Sequence, residues 1–331
     1  MRSSALFTAA LAALPAYGLP GTVSEDNIIA ERDAGAIQAI ISGAASAMAD
    51  GSTYKAPGAL GSDPCGKDKC CVWSYIVSDM VPAFLDGQRC GDLARGAVRL
   101  GFHDAAAWNA SLPYGGADGS ILLTDELARP ENKGLEAIAG QTKAWFDKYK
   151  GYGITMADLI QFGANVATVV CPGGPRIKSY VGRKDSTTQP PPGLLPSPFQ
   201  TADVLLQLFG AKTISPPELI ALMGAHSVSR QFNVDPRRAG APQDSSPGSW
   251  DTTYYRETAA DRPPRGVFRF PSDVSLAHDQ ATSGTWQSFA AQGAQPAWNV
   301  AYAQAYFKMS MFGVKNLDEL TECSAVLPLP R

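Results

Sequence analysis

The sequence predicts a mainly α-helical fold, because three separate segments keep apolar residues at the spacing of an amphipathic helix. These segments are TMADLIQFGANVATVV from Thr155, SPPELIALMGAHSV from Ser215 and WNVAYAQAYFKMSMFG from Trp298. Alternating apolar and polar runs, which indicate strands, are scarce. We therefore expect helices joined by Pro- and Gly-rich loops, with little β structure.

Local signals mark the ends of these helices. Thr155 and Asp158 form a capping pattern at the start of the first segment, and Ser215 and Glu218 form a capping box at the start of the second. Gly313 is expected to stop the third, since glycine readily adopts the conformation that ends a helix.

Length and charge limit the class of protein and its partners. The 331 residues are 45% hydrophobic, which allows one large domain or two lobes that share a core. The formal net charge is −3 and no basic run occurs, so no nucleic-acid partner is expected. Beyond the first residues no apolar run is long enough to span a bilayer, so no membrane association is expected.

The first 18 residues, MRSSALFTAALAALPAYG, are typical of a secretory signal peptide. Arg2 precedes an apolar run of about ten residues, and Ala16-Tyr17-Gly18 has the small-x-small pattern of a cleavage site. A buried N-terminal helix is the alternative. We expect a secreted, extracellular protein in which residues 19–62 form an extension or a prosegment. The compact domain then covers residues 63–331.

The cysteine content agrees with an oxidising compartment. An even number of cysteines in a secreted protein indicates disulfides, and six allow fifteen pairings, among which the spacing does not choose. A zinc site is disfavoured because no pair of histidines lies near them. The cysteines are Cys65, Cys70, Cys71, Cys90, Cys171 and Cys323.

The segment AVRLGFHDAAAW places Arg99 and His103 four residues apart, and therefore on one face of a helix. An imidazole can take up and return a proton near neutral pH. A guanidinium beside it can stabilise negative charge that develops on an oxygen. The pair therefore suits heterolysis of an O–O bond, although an ordinary surface Arg–His pair has the same spacing.

Asp104 lies about 100° round the same helix from His103 and faces away from it. The segment GGADGS follows twelve residues later and adds further oxygen atoms of the kind that Ca²⁺ prefers. The expected ligands of this first calcium site are Asp104, the Gly116 carbonyl, Asp118 and Ser120.

His226 falls on the apolar stripe of the second helix, where it is either a metal ligand or a buried core histidine. Another oxygen-rich segment, residues 244–251, follows it along the chain. By the same reasoning it indicates a second calcium site, although a solvated loop has a similar composition. The expected ligands are Ser227, Asp244, Ser246, Ser249 and Asp251.

Seven segments in order resemble the plant-fungal haem peroxidase superfamily, and most of all its secreted fungal branch, class II. They are RLGFHDA, GGADGSI, ENKGLEAI, CPGGP, GAHSVSR, the segment 244–251 and FPSDVSLAHD, within a resemblance that covers roughly Cys65 to Pro328. The resemblance implies a mainly α, two-lobed haem peroxidase fold with little β structure. One haem b would lie between a distal lobe of about 63–195 and a proximal lobe of about 196–331.

The resemblance also implies roles for the residues on the distal side. His103 matches the acid–base catalyst, Arg99 its charge-stabilising partner, and Phe102 the ring above the haem. Asn132 matches the residue that binds the distal histidine and keeps it basic.

On the proximal side, His226 matches the axial ligand of the haem iron. Asp273 matches the carboxylate that accepts the other N–H of that histidine. The two oxygen-rich segments match two calcium sites of the family. The implied disulfides are Cys65–Cys71, Cys70–Cys323 and Cys90–Cys171.

Several departures from the family bear on the electron donor. Ala221 stands where lignin and versatile peroxidases carry a surface radical tryptophan. The three positions of a manganese site hold Asp92, Gly96 and Phe232, so two of its three carboxylates are missing. We therefore expect a generic, monomeric peroxidase that reduces hydrogen peroxide and oxidises small phenolic or dye-like donors at the haem edge.

Three further positions carry smaller implications. Gln243 replaces a phenylalanine that is common on the proximal side, and Gly284 replaces a cysteine of a fourth disulfide. Asn109-Ala110-Ser111 is a glycosylation sequon in a chain expected to be secreted.

Three other functions stay open on the sequence alone. One is a manganese- or lignin-type peroxidase with a non-standard surface site. A second is a secreted haem-binding protein with little turnover, which would have no need of Arg99, His103 and Asn132. The third is a calcium-stabilised hydrolase that uses His103 and Asp104, but no nucleophile motif accompanies them.

Overall fold

Helices make up about 51% of the structure and strands about 5%, which confirms the mainly α fold that the sequence predicts. The computed structural model describes residues 34–331. The expected signal peptide, residues 1–18, lies outside the described residues, as do residues 19–33. Within residues 34–331 no helix has the length and apolar character needed to cross a membrane.

The first group of helices precedes residue 171. Its members are α1 over residues 34–41, α2 (Asp63–Gly66), α3 (Cys71–Phe84), α4 (Asp92–Ala105), α5 (Ser120–Leu123), α6 (Glu136–Tyr149) and α7 (Met156–Val170). Helix α7 is at the centre of this group, with α3, α4 and α6 packed around it. Every residue of α7 is buried, and its polar side chains form hydrogen bonds inside the protein, as those of Gln161 and Asn165 do.

The second group follows after a long loop. Its members are α8 (Ala202–Gly210), α9 (Pro216–Met223), α10 (Thr253–Ala259), α11 (Pro271–His278), α12 (Ser283–Ala290) and α13 (Gln295–Met309). Helices α10, α11 and α12 pack on one another, and α13 packs along α9.

Six two-residue strands form three antiparallel pairs in the described residues. The pairs are β1 (Leu85–Asp86) with β2 (Arg89–Cys90), β3 (Tyr180–Val181) with β6 (Thr321–Glu322), and β4 (Arg230–Gln231) with β5 (Ala241–Pro242). The β3–β6 pair aligns Tyr180 with Glu322. This pairing brings the end of the chain back to the first group of helices, where Cys323 is bonded to Cys70.

The three disulfides of the structure are the same pairs that the family resemblance implies. Cys65–Cys71 closes a short loop at the start of α3, whereas Cys70–Cys323 joins residues that are 253 positions apart. Cys90–Cys171 connects β2 to the end of α7. The described residues contain no free cysteine.

The predicted helix starts are confirmed. The Thr155 hydroxyl accepts a hydrogen bond from the Asp158 amide at 3.1 Å. The Glu218 carboxylate accepts hydrogen bonds from the Ser215 amide and hydroxyl, both at 2.7 Å. These contacts satisfy amide groups that have no partner inside a helix.

Two predicted helix ends are displaced. Helix α13 ends at Met309 rather than at Gly313, which lies in the following turn with φ +71°. Helix α9 ends at Met223, and His226 lies in the 3₁₀ turn Gly224–Val228 that follows. Such a turn is a common way to end an α-helix.

The compact part of the protein begins before residue 63, whereas the sequence led us to expect a compact domain over residues 63–331. Ile37 and Ile40 are fully buried in the main core. The Ala49 amide donates to the Arg176 carbonyl at 2.8 Å. The segment is rich in Ala, Gly and Ser, so its sequence does not indicate a packed helix. Only two isoleucines, three residues apart, anchor that helix in the core.

Arg176 fixes this N-terminal segment to the end of the chain. Its side chain is 2% exposed, and its guanidinium donates to the carbonyl oxygens of Asp50, Ser52 and Leu327. One buried cation therefore holds together three stretches of backbone that are distant in sequence.

Helix α13 contacts both groups of helices through glycines. A Cβ at Gly224 would lie 2.3 Å from the Trp298 ring, and one at Gly101 in α4 would lie 2.3 Å from the Tyr306 hydroxyl. Trp298 and Tyr306 are eight residues apart, which corresponds to about 12 Å along a helix. Helix α13 therefore sets the spacing between α4 and the turn that carries His226.

We expect Gly224→Ala to destabilise the fold by about 1–3 kcal/mol, because the added methyl group must displace a buried indole ring. Gly140→Ala is the matched control, since a Cβ at Gly140 in α6 meets nothing within 4 Å. That control should stabilise the protein by about 0.5–1 kcal/mol. Urea unfolding measures both values, and equal stability of the two variants would contradict the close contact at Gly224.

We expect Arg176→Lys to lower the free energy of unfolding by on the order of 3 kcal/mol, because a single ammonium group cannot satisfy the same set of buried carbonyls. Arg237→Lys is the control, since the Arg237 side chain is 91% exposed. Urea unfolding compares the two, and a similarly small effect of both substitutions would show that residues 50–52 are not held by Arg176.

Candidate active site

Helix α4 presents Arg99 and His103 on one face, as the four-residue spacing predicts. The Arg99 Nε–H donates to His103 Nε2 at 3.1 Å. The two terminal nitrogens of the same guanidinium donate to backbone oxygens, at 2.9 Å to Lys133 and at 3.3 Å to Glu131. The guanidinium is therefore anchored through its two terminal nitrogens and directs its Nε–H at the imidazole.

Asn132 determines which nitrogen of His103 carries the proton. The Asn132 amide nitrogen donates to the Glu126 carbonyl at 2.8 Å, so the amide oxygen faces the histidine. That oxygen lies 2.8 Å from His103 Nδ1, and as an acceptor it requires a proton on Nδ1. His103 Nε2 is therefore unprotonated, in agreement with the hydrogen bond that it accepts from Arg99.

The electrostatics of this site keep His103 neutral. Burial is the main cause that lowers the pKa of His103 to about 3, and the positive charge of Arg99 adds to it. Burial also lowers the pKa of the Arg99 guanidinium, although an arginine stays charged in proteins. The structure thus places an uncharged base beside a fixed cation.

A second histidine site lies in the turn after α9. His226 Nδ1 is 2.9 Å from Oδ2 of Asp273, which is 1% exposed. The His226 side chain is 31% exposed, while the adjacent Ser227 is fully buried. Within the described residues no side chain binds His226 Nε2, so the ring is fixed at one nitrogen and free at the other.

Aromatic rings surround both histidines. Phe102 packs edge-on against His103 and is stacked on Phe209 of α8, at a centroid distance of 6.3 Å. Tyr254 and Phe270 pack edge-on against His226 at 5.7 and 5.5 Å. Phe102 therefore lies where residues from the two groups of helices meet.

The first predicted calcium set contains one buried carboxylate oxygen without a hydrogen-bond partner in residues 34–331. Asp104 is 1% exposed, and its Oδ1 has no hydrogen-bond partner among the described residues. Burial, and next the Asp118 charge, raise the pKa of Asp104, and burial raises that of Asp118. A buried carboxylate with an unused oxygen, close to the half-buried Asp118, suits a divalent cation that prefers oxygen ligands.

The second predicted set shows the same feature. Ser227 Oγ, Asp244 Oδ2 and Ser246 Oγ are buried and have no hydrogen-bond partner in the described part of the chain. Burial raises the pKa of Asp244 to about 8. Residues 34–331 contain no cluster of three or more His, Cys, Asp or Glu side chains arranged for a metal. Each set therefore relies on two carboxylates together with hydroxyl and carbonyl oxygens.

Two residues of this region have no signal in the sequence. Glu126 is 1% exposed, accepts a hydrogen bond from Ser120 Oγ at 3.2 Å, and supplies the carbonyl that orients Asn132. Tyr254 donates from its hydroxyl to Asp273 Oδ2 at 2.9 Å. Neither residue belongs to a spacing that carries a signal, because each acts through a contact with a residue distant in the chain or through its backbone.

Gln243 is a third unusual residue. It is 1% exposed, and neither atom of its amide has a hydrogen-bond partner among the described residues. Its backbone amide lies 3.4 Å from the Ser229 carbonyl, in line with the β4–β5 pair.

Four positions named in the sequence bear on the electron donor, and the structure places each of them. Ala221 is fully buried and its carbonyl accepts the Trp298 indole N–H. A Cβ at Gly96 would lie 2.9 Å from Ile138, so this position has no room for an acidic side chain. Asp92 is exposed and paired with Arg95 at 2.6 Å, whereas Phe232 is 54% exposed.

A surface depression of about 400 Å³ is lined in part by Lys133, whose carbonyl accepts a hydrogen bond from Arg99. It contains residues of both charges and no histidine, so we do not place the cofactor there. Its lining residues are Thr124, Asp125, Leu127, Ala128, Arg129, Pro130, Lys133, Glu136 and Lys143.

Comparison with known proteins identifies the family. The family model described as peroxidase matches residues 77–292. The chain belongs to the peroxidase family. This membership confirms the resemblance found in the sequence, and it makes the protein an oxidoreductase that acts on hydrogen peroxide and uses haem.

Relatives of this peroxidase include fungal enzymes with different names. The chain is 33% identical over 291 residues to a peroxidase of Arthromyces ramosus, covering 81% of this chain and 78% of that protein. It is 32% identical over 285 residues to ligninase LG5 of Phanerodontia chrysosporium, covering 79% and 75%. It is 31% identical over 288 residues to versatile peroxidase VPS1 of Pleurotus eryngii, covering 80% and 76%. These names differ in the donor that they indicate, so family membership does not select one.

The residues present fit a haem. His226 has a free and accessible Nε2, and its other nitrogen is held by a buried carboxylate, which is the usual arrangement of a histidine that binds a metal. The contacts with α13 separate α4 from the His226 turn by about 12 Å along its axis, which leaves room for a flat macrocycle between the two. A histidine that serves only as core packing would seldom have one nitrogen bound to a buried carboxylate and the other left free.

Proposed function

We propose that this peroxidase is a secreted enzyme that reduces hydrogen peroxide with electrons from small phenolic or dye-like donors. The observation that carries the proposal is the pair of histidine sites. One has an unprotonated nitrogen that accepts a hydrogen bond from Arg99, and the other has a free nitrogen on a ring held by Asp273. The haem, when bound, supplies the iron that binds peroxide and the one-electron redox chemistry.

The distal residues handle the protons and the charge. With haem bound, His103 Nε2 would accept a proton from one oxygen of hydrogen peroxide and return it to the other oxygen. The Arg99 guanidinium stabilises the negative charge that develops on the leaving oxygen. Asn132 keeps His103 in the tautomer that this transfer requires.

The proximal residues hold the cofactor and set its electron density. His226 would bind the iron through Nε2, with its Nδ1–H donated to Asp273. A buried carboxylate that accepts this proton increases the basicity of the imidazole and so favours the ferric state.

Two observations favour small aromatic donors. The residues that the other two donor classes need are absent, and the Phe232 ring is exposed. Ala221 and Gly96 support neither a surface radical tryptophan nor a carboxylate trio. Asn233 lies on the same side of Gly134 as the Arg99 guanidinium, since a Cβ at Gly134 would be 3.2 Å from each. The exposed Phe232 precedes Asn233 and therefore lies beside the entrance to the distal site, where an aromatic donor can stack on it.

The two oxygen-rich sets are proposed to bind one Ca²⁺ each. Support comes from the buried oxygens without partners in both sets. The first set contains Asp104, the neighbour of His103, and Ser120, which contacts Glu126. The second contains Ser227, the neighbour of His226. Each ion would therefore stabilise one of the two histidine sites.

Secretion, a monomeric state and glycosylation at Asn109 are part of the same proposal. The three disulfides support an oxidising compartment. The Asn109 side chain accepts hydrogen bonds from Ser111 through its oxygen.

The donor proposal is tested by steady-state turnover of the haem-loaded protein with peroxide and one donor at a time. We expect turnover with a simple phenol and little with Mn²⁺ or veratryl alcohol. Efficient oxidation of Mn²⁺ would favour a manganese-type enzyme with an unrecognised site, and no turnover with any donor would favour a haem carrier.

We expect Asn132→Val to slow the reaction of the haem-loaded protein with peroxide by about 10–100-fold, because the tautomer of His103 is no longer fixed. Asn165→Val is the control, since Asn165 is a buried asparagine of α7 that binds Ser179 Oγ. Stopped-flow absorbance measures both rates. An unchanged rate in Asn132→Val would contradict the role of Asn132.

We expect Ca²⁺ to stabilise the protein, by about 2.7 kcal/mol for a site at a hundred times its Kd. Asp244→Asn should bind one ion fewer per chain and lose part of this gain. Asp235→Asn, which alters a loop carboxylate bound to Arg237, should behave as the unchanged protein. Calorimetric titration and urea unfolding with and without a chelator provide the measurements, and equal ion counts in all three proteins would contradict the second site.

A further inference from the structure

Tyr254 and His226 share a single oxygen of Asp273. The Tyr254 hydroxyl and His226 Nδ1 each lie 2.9 Å from Asp273 Oδ2, and the hydroxyl lies 3.5 Å from His226 Nδ1. The other carboxylate oxygen accepts from Ser272 Oγ at 3.1 Å. One buried carboxylate thus accepts three hydrogen bonds from side chains.

A carboxylate that accepts more hydrogen bonds is a weaker acceptor for each of them. Hydrogen bonds to the charged form disperse its negative charge and lower its basicity. Tyr254 is fully buried and Asp273 is 1% exposed, so water does not compete and each bond has a large effect. A phenol titrates near pH 10 in water, so the hydroxyl is a donor under working conditions.

We propose that Tyr254 is a positioning residue that tunes the haem iron through Asp273. Its hydroxyl reduces the acceptor strength of Asp273 toward His226, so that the imidazole donates less electron density and the ferrous state is less disfavoured. This inference rests on the proposed role of His226 as the axial ligand.

Packing alone does not explain the hydroxyl. The Tyr254 ring contacts Tyr255, Trp286 and His226 at centroid distances of 5.3, 5.5 and 5.7 Å. A phenylalanine would make the same ring contacts, and Asp273 would keep the hydrogen bonds from His226 and Ser272. The hydroxyl therefore adds a contact that the fold does not need for its core.

The test compares haem-loaded Tyr254→Phe with the unchanged protein. At a fixed electrode potential we expect the ratio of ferric to ferrous protein to rise about tenfold, which corresponds to a midpoint about 59 mV lower. Resonance Raman spectra of the ferrous protein should show the iron–histidine stretch at a higher frequency, because the imidazole has become more basic.

Tyr255→Phe is the matched control. It also removes a fully buried hydroxyl, but that hydroxyl donates to the Ile220 carbonyl at 2.7 Å rather than to Asp273. Both readouts should stay unchanged in it. Equal values in Tyr254→Phe and the unchanged protein, or equal shifts in both variants, would overturn the inference.

Ser272→Ala keeps the inference testable if Tyr254→Phe does not fold. It removes the donor to the other oxygen of Asp273, and both readouts should shift in the same direction by a smaller amount; no shift would overturn the inference. If the unchanged ferrous protein lacks an iron–histidine stretch, the axial role of His226 fails and the inference fails with it. A normal stretch that Tyr254→Phe leaves in place would instead refute only the inference.

Discussion

The hydrogen bond from the Asn132 amide to the Glu126 carbonyl is the contact on which the chemistry of the distal site depends. It leaves the amide oxygen as the only group that Asn132 can turn toward His103, and so it fixes the proton on Nδ1. The basic nitrogen is then the one beside Arg99. If the amide were reversed, its nitrogen would face Nδ1 and the imidazole would be of the wrong tautomer for taking a proton from peroxide.

The fold supports this contact from two directions. Ser120 binds the Glu126 carboxylate, while the Asp104 carboxylate accepts a hydrogen bond from Gln161 of α7. Both Asp104 and Ser120 belong to the first proposed calcium set, so a cation there would hold α4 and the Glu126 turn together. On the proximal side the acceptor for the histidine is charged: the Asp273 carboxylate accepts the hydrogen bond from His226 Nδ1, whereas the neutral Asn132 amide oxygen accepts the one from His103 Nδ1. His103 is thereby a neutral base, and His226 keeps one nitrogen bound to a carboxylate and the other free.

Local patterns allowed much of this structure to be predicted from the sequence. The helix through Arg99 and His103, the capping box at Ser215 and the overall helical class depend on residues within a few positions of one another. The family motifs extended this to Asn132, His226 and Asp273. The roles of Glu126 and Tyr254 could not be predicted, because Glu126 acts through its backbone carbonyl and Tyr254 contacts a residue distant in sequence. The packing of residues 34–62 could not be predicted, because their composition indicates a loose segment. A few buried isoleucines and the hydrogen bonds of Arg176 nevertheless hold them to the core. The 3₁₀ turn at His226 begins at Gly224, which lies against Trp298, and this contact between distant residues has no periodicity in the sequence.

The most direct measurement is the rate at which hydrogen peroxide changes the Soret absorption of the haem-loaded protein, compared between the unchanged chain and His103→Leu. If His103 Nε2 is the base, the unchanged protein reacts rapidly and the variant, with the same ferric spectrum before mixing, reacts about 10²–10⁴-fold more slowly. Equal rates in the two proteins would contradict the assignment of His103 as the base, and with it the function assigned to the Arg99, His103 and Asn132 arrangement.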